Sequence, residues 1–197
     1  MLKAALTGNI GCGKTTVGRI FEFLGVPVYN ADDHARRFLF SDNVGKKLTK
    51  TFGKVILDEQ GFVDKIKLAD LVFNDSQSLG KLNAIIHPLV MNDFSDWARQ
   101  FESQAYVILE SAIIFENKLE DFFDRIILIT APEEERIMRV MKRECVTREK
   151  VMERIKNQLP EKYKEGRSAY IINNDNNTLV IPQVLDVHSA LSDISPD

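Results

Sequence analysis

The sequence predicts an α/β fold, a five-stranded parallel sheet flanked by helices, with an inserted helical subdomain and a helical lid. Three observations predict it. Five short apolar runs, Leu2–Leu6, Val26–Tyr29, Tyr106–Leu109, Ile126–Ile129 and Ala169–Ile172, are continuous rather than alternating, as strands covered on both faces should be. Helical patterns lie between them, and alternating β and α elements make a parallel sheet with helices packed on it. Roughly 75 residues separate the second run from the third, far more than a βα connection needs.

Each element has its own signal. The first run enters a glycine-rich loop and then a helix that should bury Val17, Ile20 and Phe21. The long stretch after the second run reads as mostly helical, with apolar clusters Leu68–Phe73 and Leu82–Val90. The fourth run ends in Thr130-Ala131-Pro132-Glu133, where a capping Thr, an early Pro and a Glu three residues on open a helix. That helix should carry Ile137, Met138 and Met141 toward a core. Thr147 opens another, with Val151, Ile155 and Leu159 along one face until Pro160 ends it. The expected division is a core of residues 1–30, 105–132 and 168–192, an insertion of about 31–104 and a lid of about 133–167. Ser192 to Asp197 read as a loose tail.

Composition narrows the class. Of 197 residues, 44% are hydrophobic and 28% charged, the balance of one globular domain. No apolar run reaches the ~18 residues that span a bilayer, and the N-terminus lacks the pattern of a signal peptide. Cys12 and Cys145 are too few and too far apart for a disulfide framework or a zinc site, so a cytoplasmic location is expected. The net charge of −3 argues against nucleic acid as a partner. Residues 133–167 nevertheless hold 11 Lys and Arg against 8 Asp and Glu. That excess fits either a solvated helical face or a site for an anionic small molecule.

The strongest local signal is Gly8-Asn9-Ile10-Gly11-Cys12-Gly13-Lys14-Thr15, which matches G-x-x-x-x-G-K-[ST] between a strand and a helix. Glycines let the backbone curl so that successive N–H groups face phosphate oxygens, and the helix N-terminus adds partial positive charge. Gly8, Gly11, Cys12, Gly13, Lys14, Thr15 and Thr16 are therefore the candidate ATP contacts. Lys14 should reach the β- and γ-phosphates, and the Thr15 hydroxyl should coordinate Mg²⁺. The expected fold is therefore that of the P-loop NTPases. Cys12 either replaces a hydroxyl or is a redox-sensitive thiol activated by the helix N-terminus.

Carboxylates at neighbouring strand ends extend the site. Asp32 follows the second run, where it can accept a proton from an attacking hydroxyl, hold Mg²⁺ through water, or merely cap a helix. Glu110 ends the third run, either as a second acid near Mg²⁺ or as an exposed strand end. Arg136, Arg139 and Arg143 share a helix face. They can close over a transferring phosphoryl group or pair with Glu133 to Glu135.

These residues, taken with Leu82-Asn83-Ala84-Ile85-Ile86-His87-Pro88-Leu89, Ile113-Ile114-Phe115-Glu116, Val146-Thr147-Arg148-Glu149, Gln158 and Ile172-Asn173-Asn174, resemble the dephospho-CoA kinase family over nearly the whole chain. The resemblance implies transfer of the ATP γ-phosphoryl group to the ribose 3′-hydroxyl of dephospho-CoA, the last step of coenzyme A synthesis. It implies Asp32 as general base, Arg139 and Arg143 as lid arginines, Asn174 near the nucleotide, and Arg36 and His87 in acceptor binding. Read structurally, His87 could instead hold a turn before Pro88. The family's Asp-x-Asp is Asn30-Ala31-Asp32 here, which leaves the base role to Asp32. ATP and dephospho-CoA are the expected small-molecule partners, and the chain is expected to be a monomer or a weak homo-oligomer. The competing functions are another P-loop small-molecule or nucleotide kinase and, from a different class, a nucleotide-dependent switch. The latter rests on Asn117-Lys118-Leu119-Glu120, a near match to the guanine-reading N-K-x-D.

Overall fold

The structure is a computed structural model and describes residues 1–39, 41–73 and 75–194. In chain order the elements are β1 (Leu2–Thr7), α1 (Lys14–Phe23), β2 (Val28–Asn30), α2 (Ala31–Leu39), α3 (Asp42–Phe52), α4 (Lys65–Phe73), α5 (Ser76–Ala98), β3 (Tyr106–Glu110), β4 (Arg125–Thr130), α6 (Glu133–Glu144), α7 (Arg148–Lys156), α8 (Glu161–Glu165), β5 (Tyr170–Asn173) and α9 (Val180–Ser192). They fall into two compact units, Met1–Asn30 with the chain from Gln100 onward, and Ala31–Arg99.

The first unit holds the five-stranded parallel sheet the sequence predicts, in the order β2-β3-β1-β4-β5. Of its central strands β3 is buried throughout, and β1 and β4 are buried over their carboxyl-terminal parts. Leu6, Ile108, Ile127 and Ile129 of the sheet share a core with Val17 and Phe21 of α1 and Val184 and Leu191 of α9. Each such side chain contributes about 1.5–3 kcal/mol relative to exposure. Because all strands run the same way, their carboxyl ends share one edge. Each ends in a polar residue: Thr7, Asn30, Glu110, Thr130 and Asn173. In register, Asn30 lies opposite Glu110 and Thr130 opposite Asn173.

Several local expectations are corrected. Thr130 does not cap α6. It ends β4, its hydroxyl donates to Asn173 Oδ1 at 2.8 Å, and Pro132 holds the N-cap position without a side-chain bond. Met138 is 59% exposed, while Ile137 and Val140 form the buried face of α6 with Val151 of α7. The helix begun by Thr147 stops at Lys156, so Leu159 lies beyond it. Ser192 belongs to α9 rather than to a loose tail, and residues 195–197 of that expected tail lie outside the described residues.

In the second unit, α2, α3 and α4 pack against α5. Asp75 caps α5 by accepting from the N–H groups of Gln77 and Ser78 at 3.1 and 3.0 Å. Ile86, Val90 and Phe94, four residues apart, are its buried face. Pro88 sits inside this helix, so His87 holds no turn. The carbonyl that Pro88 leaves without its usual donor belongs to Ala84, on the exposed side where water can reach it. His34 Nδ1 meets Asp93 Oδ2 at 2.7 Å and ties α2 to α5.

Candidate active site

The loop between β1 and α1 is curled as the motif requires. Gly13 takes the N-cap position of α1 with φ of 100°, a left-handed conformation that costs an L-residue about 1–2 kcal/mol. Gly11, at φ of 81°, lies so close to α6 that a Cβ there would stand 2.5 Å from the Arg136 carbonyl oxygen. Lys14 Nζ turns back on the loop, donating to the Gly8 carbonyl at 2.8 Å and lying 3.9 Å from Cys12 Sγ. The Cys12 thiol is fully buried, which removes the exposure that a redox-sensing cysteine needs. Thr16 is exposed at the start of α1.

Beside the loop, Glu110 accepts the Thr15 hydroxyl on Oε1 at 2.8 Å and the Asn30 side-chain amide on Oε2 at 3.2 Å. It is only 7% exposed, so it is no solvent-facing strand end. A hydroxyl joined to a carboxylate at the mouth of an anion cradle is a donor set that suits Mg²⁺, which takes one or two carboxylates together with substrate phosphates. No group of three or more His, Cys, Asp or Glu that could hold a metal ion occurs among the described residues.

The segments after β4 and β5 close on the loop. Asn174 Nδ2 donates to the Cys12 carbonyl at 2.7 Å, and the Asn174 carbonyl accepts from Arg139 at 2.9 Å. Arg139 also bonds Glu135 and Asn176. Arg136 is buried, with Nε donating to the Ala131 carbonyl at 3.0 Å. Arg143, 64% exposed, pairs with Glu144, and Arg154 joins the same carboxylate. The arginine stripe thus divides into a buried brace, a half-buried bridge and an exposed cation.

The remaining candidates lie in the second unit. Asp32 is the second residue of α2 and exposed. It stands inside the helix rather than in front of it, so it does not act as an N-cap. Arg36 is exposed and 3.6 Å from Asp33. His87 is half-buried in α5, and burial holds its pKa below the ordinary imidazole value.

Sequence reasoning left two contacts to the loop unassigned. Gln158 Oε1 accepts the Ile10 N–H at 2.8 Å. Lys164 Nζ donates to Asn9 Oδ1 at 2.6 Å and to Glu116 Oε1 at 2.7 Å. Gln158 stood inside a family-like stretch, which was a usable signal, whereas Lys164 is one of several lysines in its segment. The Asn117-Lys118 pair forms a local turn: Lys118 is left-handed, and Asn117 Nδ2 bonds the Ile113 carbonyl at 2.8 Å.

Comparison with known proteins agrees with this geometry. The sequence model of the dephospho-CoA kinase family matches residues 2–179. A dephospho-CoA kinase of Bacteroides fragilis (strain YCH46) is 34% identical over 187 residues, covering 94% of this chain and 91% of the relative. One from Leptospira interrogans serovar Lai is 38% identical over 173 residues, covering 87% and 84%. The crystal structure of TT1252 from Thermus thermophilus superposes with a TM-score of 0.83 and 31% identity, covering 99% of this chain and 98% of that one. No helix among the described residues is long and apolar enough to cross a membrane.

Proposed function

The chain belongs to the dephospho-CoA kinase family, and on that premise we propose how its residues divide the reaction. The enzyme transfers the γ-phosphoryl group of ATP to the ribose 3′-hydroxyl of dephospho-CoA, giving CoA and ADP. Such a transfer needs little covalent chemistry from the protein, only positioning and charge.

The amides of the loop from Gly8 to Thr15, with Thr16 beside them, hold the β- and γ-phosphates. Lys14, now folded on the Gly8 carbonyl, swings to them. Thr15, with Glu110 or Asp32 through water, would hold Mg²⁺, which would neutralise phosphate charge. Asp32 accepts the 3′-hydroxyl proton as the bond to phosphorus forms. Arg139 and Arg143 leave their present glutamate partners and face the transferring group, where planar guanidinium donors suit phosphoryl oxygens. Asn174 supports the nucleotide side of the loop. Arg36 and His87 serve the acceptor, with the insertion of about 31–104 as its subdomain and about 133–167 as the lid. The two free cysteines and the mild acidity support a cytoplasmic enzyme, monomeric or weakly self-associating, with no nucleic-acid partner.

The observation that carries this reading is the Thr15–Glu110 hydrogen bond at the mouth of the curled loop. The deciding assay is formation of CoA from dephospho-CoA and ATP by the purified protein, run beside nucleoside monophosphates as rival acceptors. In the same assay Asp32→Asn should lower kcat by roughly 10²–10⁴-fold, the usual contribution of a general base, with ATP affinity retained. An unchanged kcat removes Asp32 from that role.

A further inference from the structure

Lys164 is 0% exposed in α8, a charged side chain sealed inside the first unit. Its ammonium bonds the Asn9 side chain at 2.6 Å and Glu116 at 2.7 Å. Asn9 is the second residue of the phosphate loop and is itself buried. Glu116 Oε1 also accepts the Leu159 N–H at 3.0 Å, next to Gln158, which holds the Ile10 N–H. Ile10 in turn packs against the cluster formed by α6 and α7. Two consecutive loop residues are therefore gripped from the stretch that leads from α7 into α8.

A buried ion pair is a poor way to stabilise a fold, because well-packed apolar side chains of similar volume usually do as well or better. Simple anchoring of α8 would need no ammonium here. The cation does what an apolar residue cannot: it donates a charge-assisted hydrogen bond to the loop and adds positive potential behind an anion cradle. Burial pulls the Lys164 pKa down, Glu116 pushes it back up, and the nearby Lys14 ammonium pulls it down again.

We propose that Lys164 is a positioning residue for phosphoryl transfer, locking the Asn9–Ile10 part of the phosphate loop in its ATP-accepting shape, with Glu116 as the counter-ion that lets the ammonium stay buried. The inference rests on the loop being the ATP cradle, and Lys14→Ala tests that separately.

The experiment compares wild type with Lys164→Met, Asn9→Ala and the double variant Lys164→Met/Glu116→Gln, measuring melting temperature, ATP affinity and the KM for each substrate. Lys164→Met alone leaves Glu116 buried without its partner and can fail to fold, so the other two decide. In the double variant no charge is stranded, and the substituted amide oxygen can still accept the Leu159 N–H. Its melting temperature should return close to that of wild type while the KM for ATP stays raised by about tenfold or more, the loss of one hydrogen bond from a charged donor. The KM for dephospho-CoA should not move. Asn9→Ala, which leaves the Lys164–Glu116 pair in place, should raise the KM for ATP to a similar degree. Recovery of ATP affinity together with melting temperature in the double variant overturns the proposal, because the pair would then serve only the fold. So does normal ATP affinity in Asn9→Ala. If Lys14→Ala binds ATP normally, the cradle itself is misassigned; if Lys14→Ala fails to bind and the Lys164 and Asn9 variants bind normally, only the present inference is lost.

Discussion

The substitution Gly13→Ala tests the loop geometry quantitatively. Gly13 has φ of 100°, where an L-residue costs about 1–2 kcal/mol. A Cβ there would also stand 2.3 Å from Asn174 Nδ2. The amide must retreat by about an ångström to reach ordinary contact, which breaks its 2.7 Å bond to the Cys12 carbonyl and costs about 1 kcal/mol more. The expected loss is about 2–3 kcal/mol. For a chain of this size that lowers the melting temperature by roughly 4–12 °C. Asn174→Ala alone should cost about 1 kcal/mol through the same lost bond. In that background the obstacle is gone, so Gly13→Ala should add only the backbone strain of about 1–2 kcal/mol. The double variant should therefore be about as stable as Gly13→Ala alone, a coupling of about 1 kcal/mol in the double-mutant cycle. Urea unfolding of the four proteins measures it. Strict additivity would refute the collision, and an unaltered stability in Gly13→Ala would refute the left-handed backbone as well.

Two other perturbations address the metal and the acceptor subdomain. Glu110→Gln keeps an acceptor for Thr15 but removes the charge, so the Mg²⁺ concentration for half-maximal rate should rise by about 10–100-fold, the usual effect of a lost partner to a metal ligand; a magnesium titration with no shift removes Glu110 from the metal site. At His87 burial depresses the pKa, so the folded chain takes up this proton less readily than the unfolded one. The stability linked to this group is fully present above pH ~6.5 and is lost as pH falls from there through the folded value. His87→Gln should therefore flatten the acid side of the melting-temperature profile, and superimposable profiles would show that the imidazole is not buried as described.

What the sequence discloses follows from how local each cause is. The loop from Gly8 to Thr15 is legible because its shape is dictated by its own glycines and by the strand and helix it joins. The five strands are legible as apolar runs, but that rule trims their ends. Thr7, Asn30, Thr130 and Asn173 lie inside the observed strands, and each is polar because it faces the site edge. The property that hides the last residue of a strand is the one that makes the edge useful. Pro88 misleads for a different reason: a proline discourages a helix locally, yet packing of Ile86, Val90 and Phe94 holds α5 together across it. Met138 misleads by one position, since the buried face of α6 runs through Ile137 and Val140.

Lys164 marks the limit of such reasoning. Within α8 the sequence offers Lys162 and Lys164 on equal terms, yet only Lys164 is buried. Its partners are Asn9 and Glu116, which stand 155 and 48 residues away in the chain, so no window around Pro160 contains the cause. An ammonium becomes a buried group only when tertiary structure supplies both a carboxylate and an acceptor for it. Residues proposed to touch phosphate can be read from motif spacing, because the backbone that presents them is local. The residues that hold that backbone still come from wherever the fold brings a partner. For this chain the second group reaches the loop from two places, Gln158 and Lys164 from the end of α7 through α8 and Asn174 from just after β5. Their bonds fall on Asn9, Ile10 and Cys12, the part of the loop that precedes Lys14.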